Sequence, residues 1–456
     1  MSTSTSKKLS LFAITWPIFV EQLAHMLPGT VDTFMVSHLG DNAVAGLAVA
    51  NQIVIFCIIL FTFVGLGTGV VMTHFLGAGD RAGAEKIAAT AIGANFWLGV
   101  VISLSIFFFS TDLLHLMHLP PKLLPYAQPF LALMGGTLFL ESLNIALGAV
   151  LRSHGHTRDV MLVTVGMNAL NLALNAVLIF GLFGAPKLGV VGAATSTVIS
   201  RFVACVASFL IVRWRTGATL HLRDFYQFSG GHLRKILHIG LPAAGENIAW
   251  WASFMVVTYF IGQMGETALA TFAYTMQISW LLMAFGISIG IGTEIMIGHM
   301  VGAGDLDAVY RQLLRGLRLG LVVIVVVVIL AALTAPHLID AFTDNATIIT
   351  GGAFLLRMGL ILEPDRTFNL VVINALRATG DARFPVLMGV FSMWGLLVPL
   401  SWFLGLHLGW GLPGVWIAFI VDEWTRGIMM YLRWKSRVWE KYARTARHDI
   451  QAMSHG

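Results

Sequence analysis

The chain repeats itself. Residues 17–155 recur without a gap at an offset of 225: Pro17 falls on Pro242, Glu21 on Glu246, Ala24 on Ala249, Gly40 on Gly265 and Ala45 on Ala270. Gln52-Ile53 falls on Gln277-Ile278, and Gly65, Gly67 and Thr68 on Gly290, Gly292 and Thr293. His74-x-x-Gly77-Ala78-Gly79-Asp80 falls on His299-x-x-Gly302-Ala303-Gly304-Asp305. Leu151-Arg152 and Gly155 return as Leu376-Arg377 and Gly380. Chance supplies one such block, not the series. The chain is two copies of one architectural unit.

The solvent of that unit follows from charge. Of 456 residues, 57% are hydrophobic and 11% charged, against roughly 25% charged in a soluble domain. A water-facing surface for a chain this long cannot be built from so few charges, which excludes a soluble multidomain enzyme. Unbroken apolar stretches such as 319–333 and 96–109 favour helices over the short alternating strands of a membrane barrel. Apolar runs predict spans near 11–37, 46–73, 87–110, 124–150, 160–182 and 189–212. A second set is predicted near 237–263, 268–298, 312–334, 347–376, 384–406 and 412–432. The expected plan is a cytoplasmic N-tail (1–10), an N-lobe (11–212), a cytoplasmic linker (213–236), a C-lobe (237–432) and a basic cytoplasmic C-tail (433–456).

Six spans per copy is an even number, so both copies run the same way and relate by an axis along the membrane normal. Such parallel repeats are the plan of alternating-access transporters. The net charge of +5 reflects topology: the tails and the connections after spans 2, 4, 6, 8 and 10, with the helix ends bordering them, hold 22 of the 28 Lys and Arg, and the opposite connections hold Lys122 and Lys187. The positive-inside rule then puts both termini in the cytoplasm, in the inner (plasma) membrane. No nucleic-acid role is needed. Cys57 and Cys205 lie in apolar runs and read as small core residues. The histidine pairs His115/His118 and His154/His156 lack partners at ligand spacing, so no metal site is expected. Gly77-Ala78-Gly79 lacks the Lys-Ser/Thr of a phosphate loop and reads as a helix-ending turn.

The Gly-Ala-Gly-Asp turn closing both second helices, Val31-Asp32-Thr33 late in span 1, and the Leu-Arg-x-x-Gly turn after span 4 with its copy Leu376–Gly380 resemble the multidrug and toxic compound extrusion (MATE) family. The resemblance covers roughly residues 10–435. It implies a V-shaped pair of six-helix lobes, all-α and integral to the membrane, that exports cationic or amphipathic small molecules in exchange for H⁺ or Na⁺. The protein would act as a monomer in lipid, with no cofactor beyond the coupling ion. A lipid-linked-saccharide flippase of the same superfamily is the alternative. An intramembrane enzyme such as a prenyl transferase would want a DDxxD motif, which is absent.

An Asp at the centre of a spanning helix costs about 2.5–3.5 kcal/mol on insertion scales, so it must pair, line water or bind a proton. Asp32 lies 21 residues into span 1, ~31 Å from its inner end, and its repeat counterpart is Val257, so the architecture does not demand it. In the family this position is a proton- or ion-binding carboxylate, held in part by the face carrying Asn171 and Asn175. Some members have a second carboxylate where Asn175 stands. Pro28, four residues before Asp32, removes a helix hydrogen bond, and Gly29 softens the same turn, a candidate hinge. In span 10 the resemblance assigns Asp365 to cation binding, with Glu363 beside it, while Arg366 and Arg357 offer self-neutralisation. Glu246 matches a functional Glu of some relatives, yet its partner Glu21 argues for shared architecture. Asp422, one turn from Arg426, reads as an internal ion pair. Phe34, Met35, Met255, Met276 and Met283 are candidate walls of a substrate cavity, soft enough for promiscuous binding.

Overall fold

The computed structural model describes residues 10–217 and 230–454; the tail 1–9, half of the expected linker (218–229) and the last two residues lie outside it. Among the described residues the chain is helical throughout. The first half comprises α1 (Leu11–Ser37), α2 (Asp41–Gly77), α3 (Arg81–Leu116), α4 (Leu124–Gly136), α5 (Leu138–Ser153), α6 (Thr157–Phe180) and α7 (Val190–Thr216). The second comprises α8 (Gly230–Gly262), α9 (Glu266–Ala303), α10 (Leu306–Leu333), the short α11 (Ala335–Asp340), α12 (Ala346–Ala378), α13 (Arg383–Ser392), α14 (Val398–Leu400), α15 (Gly411–Lys435) and α16 (Trp439–Ser454).

Among the described residues, eight helices are long and apolar enough to cross a bilayer, and α4 with α5 makes a ninth bent by 44°. The break falls at Thr137, whose hydroxyl turns back to the Leu133 carbonyl. α1, α8 and α15 stand where spans 1, 7 and 12 are expected, so two sets of six hold. α13 and α14 form one span with π-helical stretches at Met393–Leu397 and Ser401–His407. Pro399, between them, has no N–H to give the ladder. The expected basic tail is largely α16, whose Trp439 is buried and stacks on Trp434 at 4.5 Å. Arg433 bonds Asp381 at 2.9 Å.

Repeat-related residues do the same physical jobs in both halves. The glycine pairs Gly40/Gly265, Gly79/Gly304 and Gly155/Gly380 all have positive φ, 78–115°, a region that side chains disfavour. Asp80 and Asp305 follow directly as N-caps, each accepting from a backbone N–H three residues on, at 2.8 and 2.9 Å. The Gly-Ala-Gly-Asp motif is therefore one device: a left-handed glycine ends a helix and the Asp starts the next.

The chain divides into two compact units, and the division cuts across the repeat. One unit contains Met1–Phe19, Thr73–Gly79 and Pro242–Gly456; the other contains Val20–Met72 and Asp80–Leu241. In the former, Ile14 and Ile18 of α1 pack with Ile295 and Met296 of α9, and Phe19 stacks on Phe285. The end of α2 meets the end of α9 reciprocally: a Cβ on Gly77 would strike the His299 carbonyl, and one on Gly302 the His74 carbonyl. His74 Nε2 also donates to the Ala378 carbonyl at 2.6 Å. In the latter unit, Gly67 and Gly240 seat α2 against α8 by the same backbone approach.

Gly77→Ala is expected to lose about 1–3 kcal/mol by overpacking and to lower Tm in detergent. Gly166→Ala, with open space at its Cβ, should leave Tm unchanged or raise it slightly.

Candidate functional site

Two polar constellations occupy the described helices, one in each unit. In the unit built from the first half, Asn175 Nδ2 donates to Asp32 Oδ1 at 2.6 Å and to Asn171 Oδ1 at 3.2 Å. Ser196 donates to Asn175 Oδ1, and Asn171 Nδ2 donates to Thr197 Oγ1 at 3.0 Å. Asn171 and Asn175 are one turn apart on α6, and Ser196 and Thr197 are adjacent on α7, so α6 aims both amides between α1 and α7. Asn171 and Asn175 are buried; Asp32 is partly buried. α1 is helical through position 28, but the Pro28 side chain lies outside the described residues. Gly29 is exposed, with open space where a Cβ would point.

In the unit built mainly from the second half, α12 and α15 bury Glu363, Asp365, Arg366, Asp422, Glu423 and Arg426 together. Glu363 pairs with Arg366 at 2.9 Å, and Arg426 pairs with Asp422 at 2.9 Å and Glu423 at 2.8 Å. Arg366 reaches Glu423 at 3.7 Å, and Asn369 donates to Glu423 at 2.8 Å. Gly427 leaves room for Asp365: a Cβ there would come within 3.1 Å of Oδ1. Neither oxygen of Asp365 receives a hydrogen bond from the described residues. Four carboxylates thus face two guanidiniums. Arg357 is exposed and takes no part in neutralising them.

Glu246 is bound elsewhere, to Arg377 at 2.6 Å. Its repeat counterpart Glu21 binds Arg152 at 2.7 Å. The two pairs are one interaction made twice, tying the first helix of each repeat to the end of the fourth, so both partners have a structural job. Of the candidate cavity residues, Met35 and Met276 are buried in hydrophobic cores and their side chains serve packing. Phe34 and Met255 are exposed and Met283 is half-buried.

Sequence reasoning missed a further pair. Arg201 on α7 binds Glu141 on α5, Nε to Oε2 at 3.0 Å. The signal was present: apart from the inner set and Lys122 and Lys187, only Arg201, Arg357, Arg366 and Arg426 lie inside spans. It also missed Glu423, and the reason is a shift of register. Gly192 presses on the backbone at Leu178 and Gly414 on that at Leu404. The buried positions of α7 (Ala193, Ser196, Ser200, Ala204) recur on α15 as Val415, Ala418, Asp422 and Arg426, 222 residues on, so the last helix is three residues short of the 225 offset. Arg201 then corresponds to Glu423, and Glu141, at the 225 offset, to Arg366. The ion pair between these two helices is present in both halves with its signs exchanged.

An all-helical polytopic fold, an internal repeat and carboxylates buried within spans define a membrane transporter. The family model described as MatE matches residues 17–177 and 242–403. The chain is 45% identical to the uncharacterized transporter YisQ of Bacillus subtilis over 95% of each chain. It is 28% identical to a probable multidrug resistance protein NorM of Thermotoga maritima, over 97% of this chain and 95% of the relative. A crystal structure of MATE in the bent conformation matches with a TM-score of 0.87 at 22% identity, covering 96% of both chains. An outward-facing multidrug resistance MATE transporter matches with a TM-score of 0.84 at 22% identity, over 95% and 96%. The chain belongs to the MATE family of transporters.

Arg377→Met should leave Glu246 buried without its partner and cost about 3–5 kcal/mol. The double variant Glu246→Gln/Arg377→Met should recover most of that loss, read as Tm in detergent.

Proposed function

We propose that this chain is a secondary active antiporter of the plasma membrane that exports cationic or amphipathic organic compounds and takes in H⁺ or Na⁺. The observation that carries the reading is the surplus of buried carboxylate between α12 and α15, where Asp365 has no hydrogen-bonding partner among the described residues. A buried anion without compensation is costly, and binding a small cation removes the cost. Asp32, with one Asn donor on Oδ1, is the second such carboxylate, and Glu363 belongs to the first group. Asn171 and Asn175 hold Asp32 by neutral amides, which can bond either its charged or its protonated form.

Alternating access supplies the cycle. In the outward state an external cation loads the carboxylates and the organic compound leaves; in the inward state the cation leaves and a new compound binds. One charge moving through 100 mV supplies about 2.3 kcal/mol, a bias near fifty-fold on a two-state equilibrium. The name of the Thermotoga maritima relative, a probable multidrug resistance protein, supports the substrate class. The excess of Lys and Arg at one set of helix ends supports cytoplasmic termini, and the presence of both repeats in one chain supports a working monomer. Pro28 and Gly29 are proposed as the point where α1 bends when Asp32 changes charge.

Dye efflux from proteoliposomes under an imposed ΔpH or ΔpNa tests the reading. Efflux is expected under one of the two gradients, and efflux indifferent to both rejects antiport. Asp32→Asn is expected to abolish efflux at unchanged membrane expression, and Asp365→Asn to lower it at least tenfold. Wild-type efflux by both variants would remove the carboxylates from the mechanism.

A further inference from the structure

The pair Glu141–Arg201 has no part in the exchange described above, and it sits beside the Asp32 network. Arg201 is 11 residues into α7, ~16 Å from its Val190 end, and its side chain is mostly buried. One turn nearer that end is Thr197, the last member of the hydrogen-bonded chain Asp32–Asn175–Asn171–Thr197. Arg201 uses Nε for Glu141, while its Nη1 is buried with no acceptor among the described residues. A guanidinium donor left unpaired in a low-dielectric interior is costly. Ser196, which donates to Asn175, stands five residues before Arg201 on the same helix, ~7.5 Å along its axis, and Asn175 in turn donates to Asp32. α6 brings the amides of Asn171 and Asn175 to Asp32, and α5 brings Glu141, already bound to Arg201.

The fold asks for an ion pair here but not for this polarity. The other half builds it as Arg366–Glu423, with the acid on the last helix. Only the first half places the cation on the helix that carries the Asp32 network.

We propose that Arg201 is a positioning residue for the coupling ion at Asp32. While Asp32 is protonated, the guanidinium stays on Glu141 and the three groups sum to zero charge. When the Asp32 O–H bond breaks and its proton passes to water, Nη1 turns to the new carboxylate. Asp32, Arg201 and Glu141 then hold one net negative charge, shared rather than isolated. The inference rests on exchange at Asp32.

The test is the pH profile of proton-driven dye efflux in proteoliposomes for R201Q, R201K, E141Q and D32N. Without its counter-charge, the Asp32 carboxylate is harder to form, so the midpoint for R201Q is expected to rise by about one to three units. E141Q frees Arg201 for Asp32 and is expected to lower the midpoint. R201K keeps the charge and should stay nearer the wild type than R201Q does. Unshifted midpoints, or R201Q and E141Q moving in one direction as a purely structural pair would, overturn the proposal. Should R201Q fail to fold, the midpoints of E141Q and R201K decide the question in the same way. Wild-type efflux by D32N sinks the exchange reading itself; an inactive D32N with unshifted R201Q and E141Q sinks only the role of Arg201.

Discussion

A charge inside a bilayer has no water to turn to, and that single constraint organises the polar residues of this protein. Each buried or half-buried guanidinium of the described spans lies against a carboxylate: Arg152 on Glu21, Arg377 on Glu246, Arg201 on Glu141, and Arg366 and Arg426 among the acids of α12 and α15. Arginine suits the task because its planar fork can serve two acceptors at once. After this pairing, Asp365 has no hydrogen bond from the described residues and Asp32 is bonded by a neutral amide.

The repeat separates what the scaffold requires from what has been added. Several residues that both halves keep have a mechanical duty: the left-handed glycines, the Asp caps, the Glu–Arg tie from first to fourth helix, and the close glycine approaches at Gly77 and Gly302. Two of the differences between the halves concern charge. Asp32 stands opposite Val257, and the pair between the fourth and sixth helices reverses sign. One backbone thus carries two electrostatic environments, with one acid next to an arginine in one unit and a surplus of acids in the other.

The residues that sequence reading found are those whose meaning is local or periodic. Gly304 and Asp305 announce a turn because a left-handed angle and a cap need those residue types wherever they occur. Asp32 stands out because an acid in an apolar run is conspicuous without any knowledge of its neighbours. Glu246 could be suspected of an architectural role from its partner at Glu21, and Arg152 and Arg377 share the same offset. Met35 and Met276 were legible only as soft apolar residues; whether such a residue lines a cavity or fills a core depends on what packs over it.

The sequence by itself determined the solvent, the number of crossings, the duplication and the lone acid, since these follow from hydropathy, periodicity and self-similarity along one dimension. Only the tertiary structure decided that Arg201 meets Glu141, that Glu423 stands in its place in the other half, and that Asp365 is left without a donor. The physical reason is that a spanning helix is apolar nearly all round. Its pattern names the helix but not the face turned toward a given neighbour, and a three-residue change of offset in the last helix moves a charge from one partner to another.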